Sequence, residues 1–163
     1  MTDFLIRLET DSDREGIEEL LLEAFPSPCE AELVRQLRED GDVVFSLVAA
    51  EGGEVIGQAL FSKLLAPSGA LALGPVAVTE SSRRRGIAAT LIEDGLKRAR
   101  DDGWTAVVVL GDPPYYQRFG FSQKTVEGMS CRYAGPYLMG LVLAGRGFEG
   151  SRIEYAPAFS ELS

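Results

Sequence analysis

Three arginines and a glycine, followed by a short apolar run, stand where a polar turn meets a helical pattern: Arg83-Arg84-Arg85-Gly86-Ile87-Ala88-Ala89. The first N–H groups of a helix have no intrahelical partner, and the macrodipole makes that end partly positive. Opened to a pocket, such an end binds phosphate or pyrophosphate. Gly86 lets the backbone approach a ligand closely, and the small Ala88 leaves the first turn unobstructed. The arginines add charge that no carboxylate within the loop offsets. The loop residues alone also fit a solvated basic turn.

A second cluster, Asp112-Pro113-Pro114-Tyr115-Tyr116-Gln117-Arg118-Phe119-Gly120-Phe121, follows the apolar run 106–110. The chain contains no histidine. That removes Ser-His-Asp and Cys-His catalysis, the paired-histidine zinc site and any imidazole base. Proton transfer is left to Tyr, Glu, Asp, Lys, Cys, water or the backbone. By itself the tyrosine pair serves packing as readily as chemistry. Cys131 is open in the same way: a thiol could carry an acyl group, while a lone cysteine commonly fills a core.

The elements that position these clusters alternate along the chain. Phe4-Leu5-Ile6-Arg7-Leu8 is β-prone, and Thr10-Asp11-Ser12-Asp13 caps a helix predicted over 14–25. Pro26 and Pro28 stop it, a second helix runs over 30–39, and Gly41 marks its end. Residues 43–50 and 54–65 read as strands joined at Glu51-Gly52-Gly53-Glu54. A further strand spans 70–78, with Gly74-Pro75 inside an apolar run where proline forfeits a ladder bond. The residues allow a bulge or an edge strand there.

Beyond the glycine loop, Ile87, Leu91 and Leu96, with Ala88, Ile92 and Ala99 beside them, give one buried side to a helix ending near Asp102. The nearly all-apolar strand 104–110 suits a position covered on both sheet faces. Pro113 and Pro114 suit the start of a short helix, and 137–144 reads as a closing strand. The expected order is β-α-α-β-β-β-α-β-α-β-β in one domain over 1–144, with a tail over 145–163 packed on it or extending it.

Composition narrows the class. A chain of 163 residues, 45% hydrophobic and 25% charged, is expected to fold as one soluble globular domain. No apolar run reaches membrane-spanning length, and the acidic N-terminus is unlike a signal peptide, so a cytoplasmic protein with no membrane partner is expected. Cys29 and Cys131 are too few for a disulfide framework and are read as reduced thiols. No metal site is expected. A net charge of −9 argues against a nucleic-acid partner. It suits a cationic substrate, or is merely a solubilising surface.

The two clusters, in this order and separated by one helix and one strand, resemble the motifs of the GCN5-related N-acetyltransferase (GNAT) superfamily. Arg83-x-x-Gly86-x-Ala88 is similar to its acyl-CoA pyrophosphate loop, and Tyr116-x-x-x-Gly120-Phe121 to the segment closing its fifth strand. The 110–121 motif, Leu-Gly-Asp-Pro-x-Tyr-Tyr-x-Arg-Phe-Gly-Phe, and the tail Tyr155-Ala156-Pro157-Ala158-Phe159 look most like a bacterial branch of YhbS type, whose acceptors are mostly unassigned.

The resemblance implies an α/β fold of mixed α+β character, with a mixed, mostly antiparallel sheet flanked by about four helices. Its fourth and fifth strands splay apart to admit pantetheine, which would lie along Val76, Ala77 and Val78. It implies acetyl-CoA as cosubstrate, direct transfer to an amine in a ternary complex, and a possible homodimer. Arg83, Arg84, Arg85, Gly86, Ile87, Ala88 and Ala89 would hold the pyrophosphate. Tyr116 would be the general acid, Tyr115 would line the pocket, and Arg118 would support the CoA phosphates or only solvate its helix. Many members use a glutamate on the fourth strand as base, yet 70–78 holds no carboxylate. Glu23, Glu30 and Glu32 flank the loop 25–29 that corresponds to the acceptor loop, and none is singled out. A non-catalytic acyl-CoA-binding sensor or interaction module is the alternative reading.

Overall fold

The computed structural model describes residues 3–148, 150 and 152–161. Residues 149, 151, 162 and 163 of the expected tail therefore lie outside the described residues. Ten elements follow in order: β1 (Leu5–Leu8), α1 (Arg14–Ala24), α2 (Cys29–Asp40), β2 (Val43–Glu51), β3 (Glu54–Lys63), β4 (Ala70–Val78), α3 (Ile87–Asp101), β5 (Ala106–Leu110), α4 (Pro113–Gln117) and β6 (Leu138–Val142). Short 3-10 turns lie at Asp11–Asp13, Glu80–Ser82, Lys124–Val126 and Pro157–Glu161.

The strands form one sheet in sequence order, β1 to β6. Every neighbouring pair is antiparallel except β4 with β5, because α3 carries the chain back across the sheet between them. Alternation along β3 shows how the layers are built. Gly57, Ala59 and Phe61 turn toward α3, and Gly57 sits close enough that a Cβ there would meet Ile87 and Leu91 at 3.1 Å. Gln58 and Leu60 turn toward the opposite layer, where Leu60 packs with α1 and α2 through Ile17, Leu20, Val34 and Leu37. The tail adds Ala156, Ala158 and Phe159 to that same cluster. A third cluster joins Ala72, Val108 and Leu138 to Ile153. Among the described residues no helix is long and apolar enough to cross a membrane.

One expectation is corrected. The order read from sequence has two strands after the tyrosine helix, and β6 is the one that forms. The other shrinks to a single bridge in which Ser122 and Gly140 exchange N–H···O bonds of 2.9 and 3.0 Å. The chain then curls into the Lys124–Val126 turn, and Gly128 (φ +83) adopts a left-handed conformation that no strand continues through.

Candidate active site

β4 creates the site by leaving its neighbour. Ala70–Leu73 pair with Ala106–Val109 of β5, and the pairing ends there. Gly74 and Pro75 follow at once, and opposite them the β3 register shifts between Ala59 and Phe61. The proline thus sits at a bulge where the ladder with β5 has stopped, so its missing N–H breaks no pairing. Beyond it, Val76–Val78 remain on β3 alone. The Thr79 N–H donates to Ile56 O at 2.9 Å, so Ala77 and Thr79 face β3. Ladder alternation then turns the backbone groups of Val76 and Val78 toward the gap left by β5. The Val78 carbonyl accepts a bond there from Arg83 Nε at 3.2 Å.

The loop at the end of β4 delivers a helix N-terminus to that gap. Gly86 is the N-cap of α3 at φ +77, a left-handed position suited to glycine. The first intrahelical bond to it comes from the Thr90 N–H at 3.0 Å. The N–H groups of Ile87, Ala88 and Ala89 therefore precede the first intrahelical donor, and no acidic side chain stands in the first turn.

A cavity of about 520 Å³ occupies the opening. β4 contributes Val76, Ala77 and Val78, and the loop with α3 contributes Arg83, Arg84, Gly86, Ile87, Ala88 and Ala89. Tyr115 and Arg118 close the side formed by α4, the guanidinium lying 4.8 Å over the Tyr115 ring. Arg85 is the exception among the expected loop residues. Its guanidinium turns away from the cavity lining and binds the Glu51 carboxylate. The loop's charge is thus offset in part by a residue outside the loop. Phe25, from the loop 25–29 that the resemblance matches to the acceptor loop, also lines the cavity, and Ala24 and Ser82 do so without having been expected there. The proline stop at Pro26 was the available signal for Ala24, since it ends α1 at that residue.

The adjacent tyrosines separate. Tyr115 reaches the lining. Tyr116 lies behind it, edge-on to Tyr115 at 5.1 Å and to Phe121 at 6.0 Å, and is not a lining residue. Its ring covers Gly111 so closely that a Cβ there would fall 2.4 Å from Tyr116 Cε2. Burial, and secondarily Tyr115, pushes the Tyr116 phenol up to about 12. The phenol therefore stays protonated well above neutrality. Tyr115 is also raised by burial, with Arg118 opposing the shift.

The glutamates beside the α1–α2 loop differ in their partners. Glu23 Oε1 accepts the Glu80 N–H at 3.0 Å, which ties α1 to the β4 exit. Glu32 is exposed. Glu30 Oε1 is buried without a hydrogen-bond partner. Among the described residues no group of three or more His, Cys, Asp or Glu side chains is placed to hold a metal ion.

Known proteins share this arrangement. The acetyltransferase (GNAT) family matches residues 14–121, which include the β4 gap, the loop and both tyrosines. The uncharacterized N-acetyltransferase YhbS of Escherichia coli K12 is 42% identical over 135 residues, covering 80% of this chain and 81% of its own. The crystal structure of the E. coli GNAT family N-acetyltransferase YhbS in complex with CoA superposes with a TM-score of 0.91 at 36% identity, over 100% of this chain and 97% of that one. A GNAT family acetyltransferase from Brucella melitensis in complex with acetyl-CoA gives a TM-score of 0.83 at 31% identity, over 98% and 99% of the two chains. By sequence match and by fold, the chain belongs to the acetyltransferase (GNAT) family.

Proposed function

We propose that this acetyltransferase moves the acetyl group of acetyl-CoA to a primary amine, on a small molecule or a protein, within a ternary complex. One observation carries the reading: the half of β4 that β5 leaves uncovered and the bare N-terminus of α3 border a single cavity with Arg83 and Arg84 at its edge. That shape suits an extended, amide-bearing arm ending in a pyrophosphate. Val76 and Val78 offer backbone groups to the pantetheine arm, and the Gly86–Ala89 segment offers N–H groups to the phosphates. The relatives crystallised with CoA and acetyl-CoA support the same assignment.

In the reaction the amine nitrogen attacks the thioester carbonyl carbon and the C–S bond breaks. The departing thiolate takes a proton, and the new amide nitrogen loses one to water. Tyr116 is the proposed donor to sulfur by its place in the Tyr116-x-x-x-Gly120-Phe121 motif; because its ring lies behind Tyr115, donation requires the phenol to reach the cavity past that ring. Tyr115, on the cavity wall, is proposed to hold the arm in register with the acceptor.

The test is calorimetric titration with acetyl-CoA, followed by thiol release against amines. Acetyl-CoA should bind, and thiol release should depend on the amine. Gly86→Glu places bulk and negative charge where the phosphates would sit, and should weaken acetyl-CoA binding by at least about tenfold. Unchanged affinity in that variant would overturn the loop assignment. Binding without release from any amine would favour an acyl-CoA sensor.

A further inference from the structure

A second cavity, of about 400 Å³, shares no lining residue with the first. It lies between Leu65, the segment 130–133 and the tail 152–160. Backbone bonds build its frame. The Ile153 N–H donates to Ser130 O at 2.8 Å, the Leu65 N–H to Glu154 O at 2.8 Å, and the Glu154 N–H to Ala66 O at 2.9 Å. The Tyr133 hydroxyl donates to Phe159 O at 2.9 Å, which fixes that ring as a wall. Tyr155 stands edge-on to both neighbours, 5.1 Å from the Tyr133 ring and 4.9 Å from Phe159.

Two features give the cavity chemical character. Three aromatic rings, those of Tyr133, Tyr155 and Phe159, line this space. At the mouth stand Arg132 and Arg152 with a single carboxylate, Glu154, which lies 3.4 Å from Arg152 Nε. The mouth is thus net positive on a protein whose net charge is −9. Inside, Phe159, Ile153 and Pro157 supply an apolar body. The Cys131 thiol, raised by burial, lines the space as a neutral group.

We infer that this cavity binds a small organic acid with an aromatic-sized apolar body. The body would lie against the Tyr133, Tyr155 and Phe159 rings, and the carboxylate would meet the arginines at the mouth. The inference does not depend on the cofactor cavity.

The experiment is an NMR titration of the full chain with phenylacetate and with phenethylamine, which have the same ring and opposite charge. Phenylacetate should shift resonances of the 130–133 and 152–160 segments and bind about tenfold tighter than phenethylamine. Arg132→Gln combined with Arg152→Gln should abolish that preference. Tyr155→Leu, which stays apolar and removes the aromatic wall, should weaken phenylacetate by about threefold or more. Acetyl-CoA affinity, measured separately, should be unchanged in each variant, which keeps failure here distinct from failure of the acetyltransfer reading. Equal affinity for the two probes, no binding of phenylacetate, or binding indifferent to the variants would overturn the site.

Discussion

Arg85 and Glu51 are joined by two parallel hydrogen bonds, Nη1 to Oε1 at 3.0 Å and Nη2 to Oε2 at 2.6 Å. The pair ties the glycine loop to the end of β2, and the guanidinium also lies 5.7 Å over the Phe4 ring. Its neighbours explain why an anchor is useful there. Arg84 is left-handed at φ +69, a conformation that a Cβ disfavours, and Gly86 is left-handed at φ +77. Between these two positions, a side chain clamped from outside holds the loop in the shape that directs its N–H groups into the cavity.

Glu51→Gln should therefore raise KM for acetyl-CoA by about threefold to fivefold with kcat nearly unchanged, because an exposed pair contributes modestly. The charge-swapped double variant, Glu51→Arg with Arg85→Glu, should recover most of the loss. If Arg85 instead contacts phosphate, Glu51→Gln leaves KM alone and the swap stays defective. Steady-state kinetics at low salt, where the pair is least screened, decides between the two.

The tyrosines make separable predictions. Tyr116→Phe should lower kcat by about a hundredfold, the scale of general acid catalysis, while acetyl-CoA still binds. Tyr115→Phe should act mainly on KM. Because the Tyr116 phenol is held up to about 12, activity should persist as pH rises through the ordinary tyrosine range of about 10 and fall only beyond it. A pH profile of kcat that drops near the ordinary tyrosine value would assign the acid to a less buried group. Reversed effects of the two substitutions would exchange their roles.

Local signals explain what could be read beforehand. A proline inside an apolar strand, a basic loop ending in glycine, a helical stripe and the Gly120-Phe121 pair each declare themselves within a few residues, and together they outline the β4 gap and the cavity. Longer-range facts were hidden. Glu51 lies 34 residues from Arg85, and no pattern joins them. Tyr115 and Tyr116 are identical in type and adjacent in sequence. Their separation into wall and interior depends on where the single turn of α4 lands against Phe121. Ser82 enters the lining through a short turn whose direction periodicity does not reveal. The second cavity depends on Glu154 bridging to Ala66, a pairing that no spacing announces.

Gly95 illustrates the same limit in the core. It lies inside α3, where alanine is ordinarily favoured over glycine by about 1 kcal/mol. Here a Cβ would fall 2.3 Å from Phe61 Cε1 and 2.5 Å from Cζ, so the helix approaches the sheet through the missing side chain. Phe61 is fully buried and stacked on Phe45 at 4.6 Å, leaving its ring little room to yield. Gly95→Ala should destabilise the protein by about 1–3 kcal/mol net, seen as a Tm lower by several degrees. Adding Phe61→Leu should give a less than additive loss, as expected of residues in contact. A raised Tm in Gly95→Ala would show that the ring moves aside freely.

Asp13 should govern acid stability. Its carboxylate accepts Arg7 Nη1 at 2.6 Å, Arg7 Nη2 at 2.9 Å and the Thr10 N–H at 2.7 Å, although the residue is only 6% exposed. The Arg7 hydrogen bonds, chiefly, hold the carboxyl far below the usual range, with burial opposing. A depressed folded-state pKa means that the unfolded chain binds the proton first as pH falls. The contribution is therefore fully present above the unfolded value of about 3.9 and is lost progressively as pH drops below it. Asp13→Asn should cost about 2–3 kcal/mol near pH 7, through the loss of charge-assisted bonds and an Arg7 left without its counter-ion. Urea unfolding should show the wild-type and variant stability curves well separated near neutrality and drawing together as pH falls below about 3.9 toward the depressed folded-state value. Curves that stay parallel into acid would place the acid-sensitive group elsewhere.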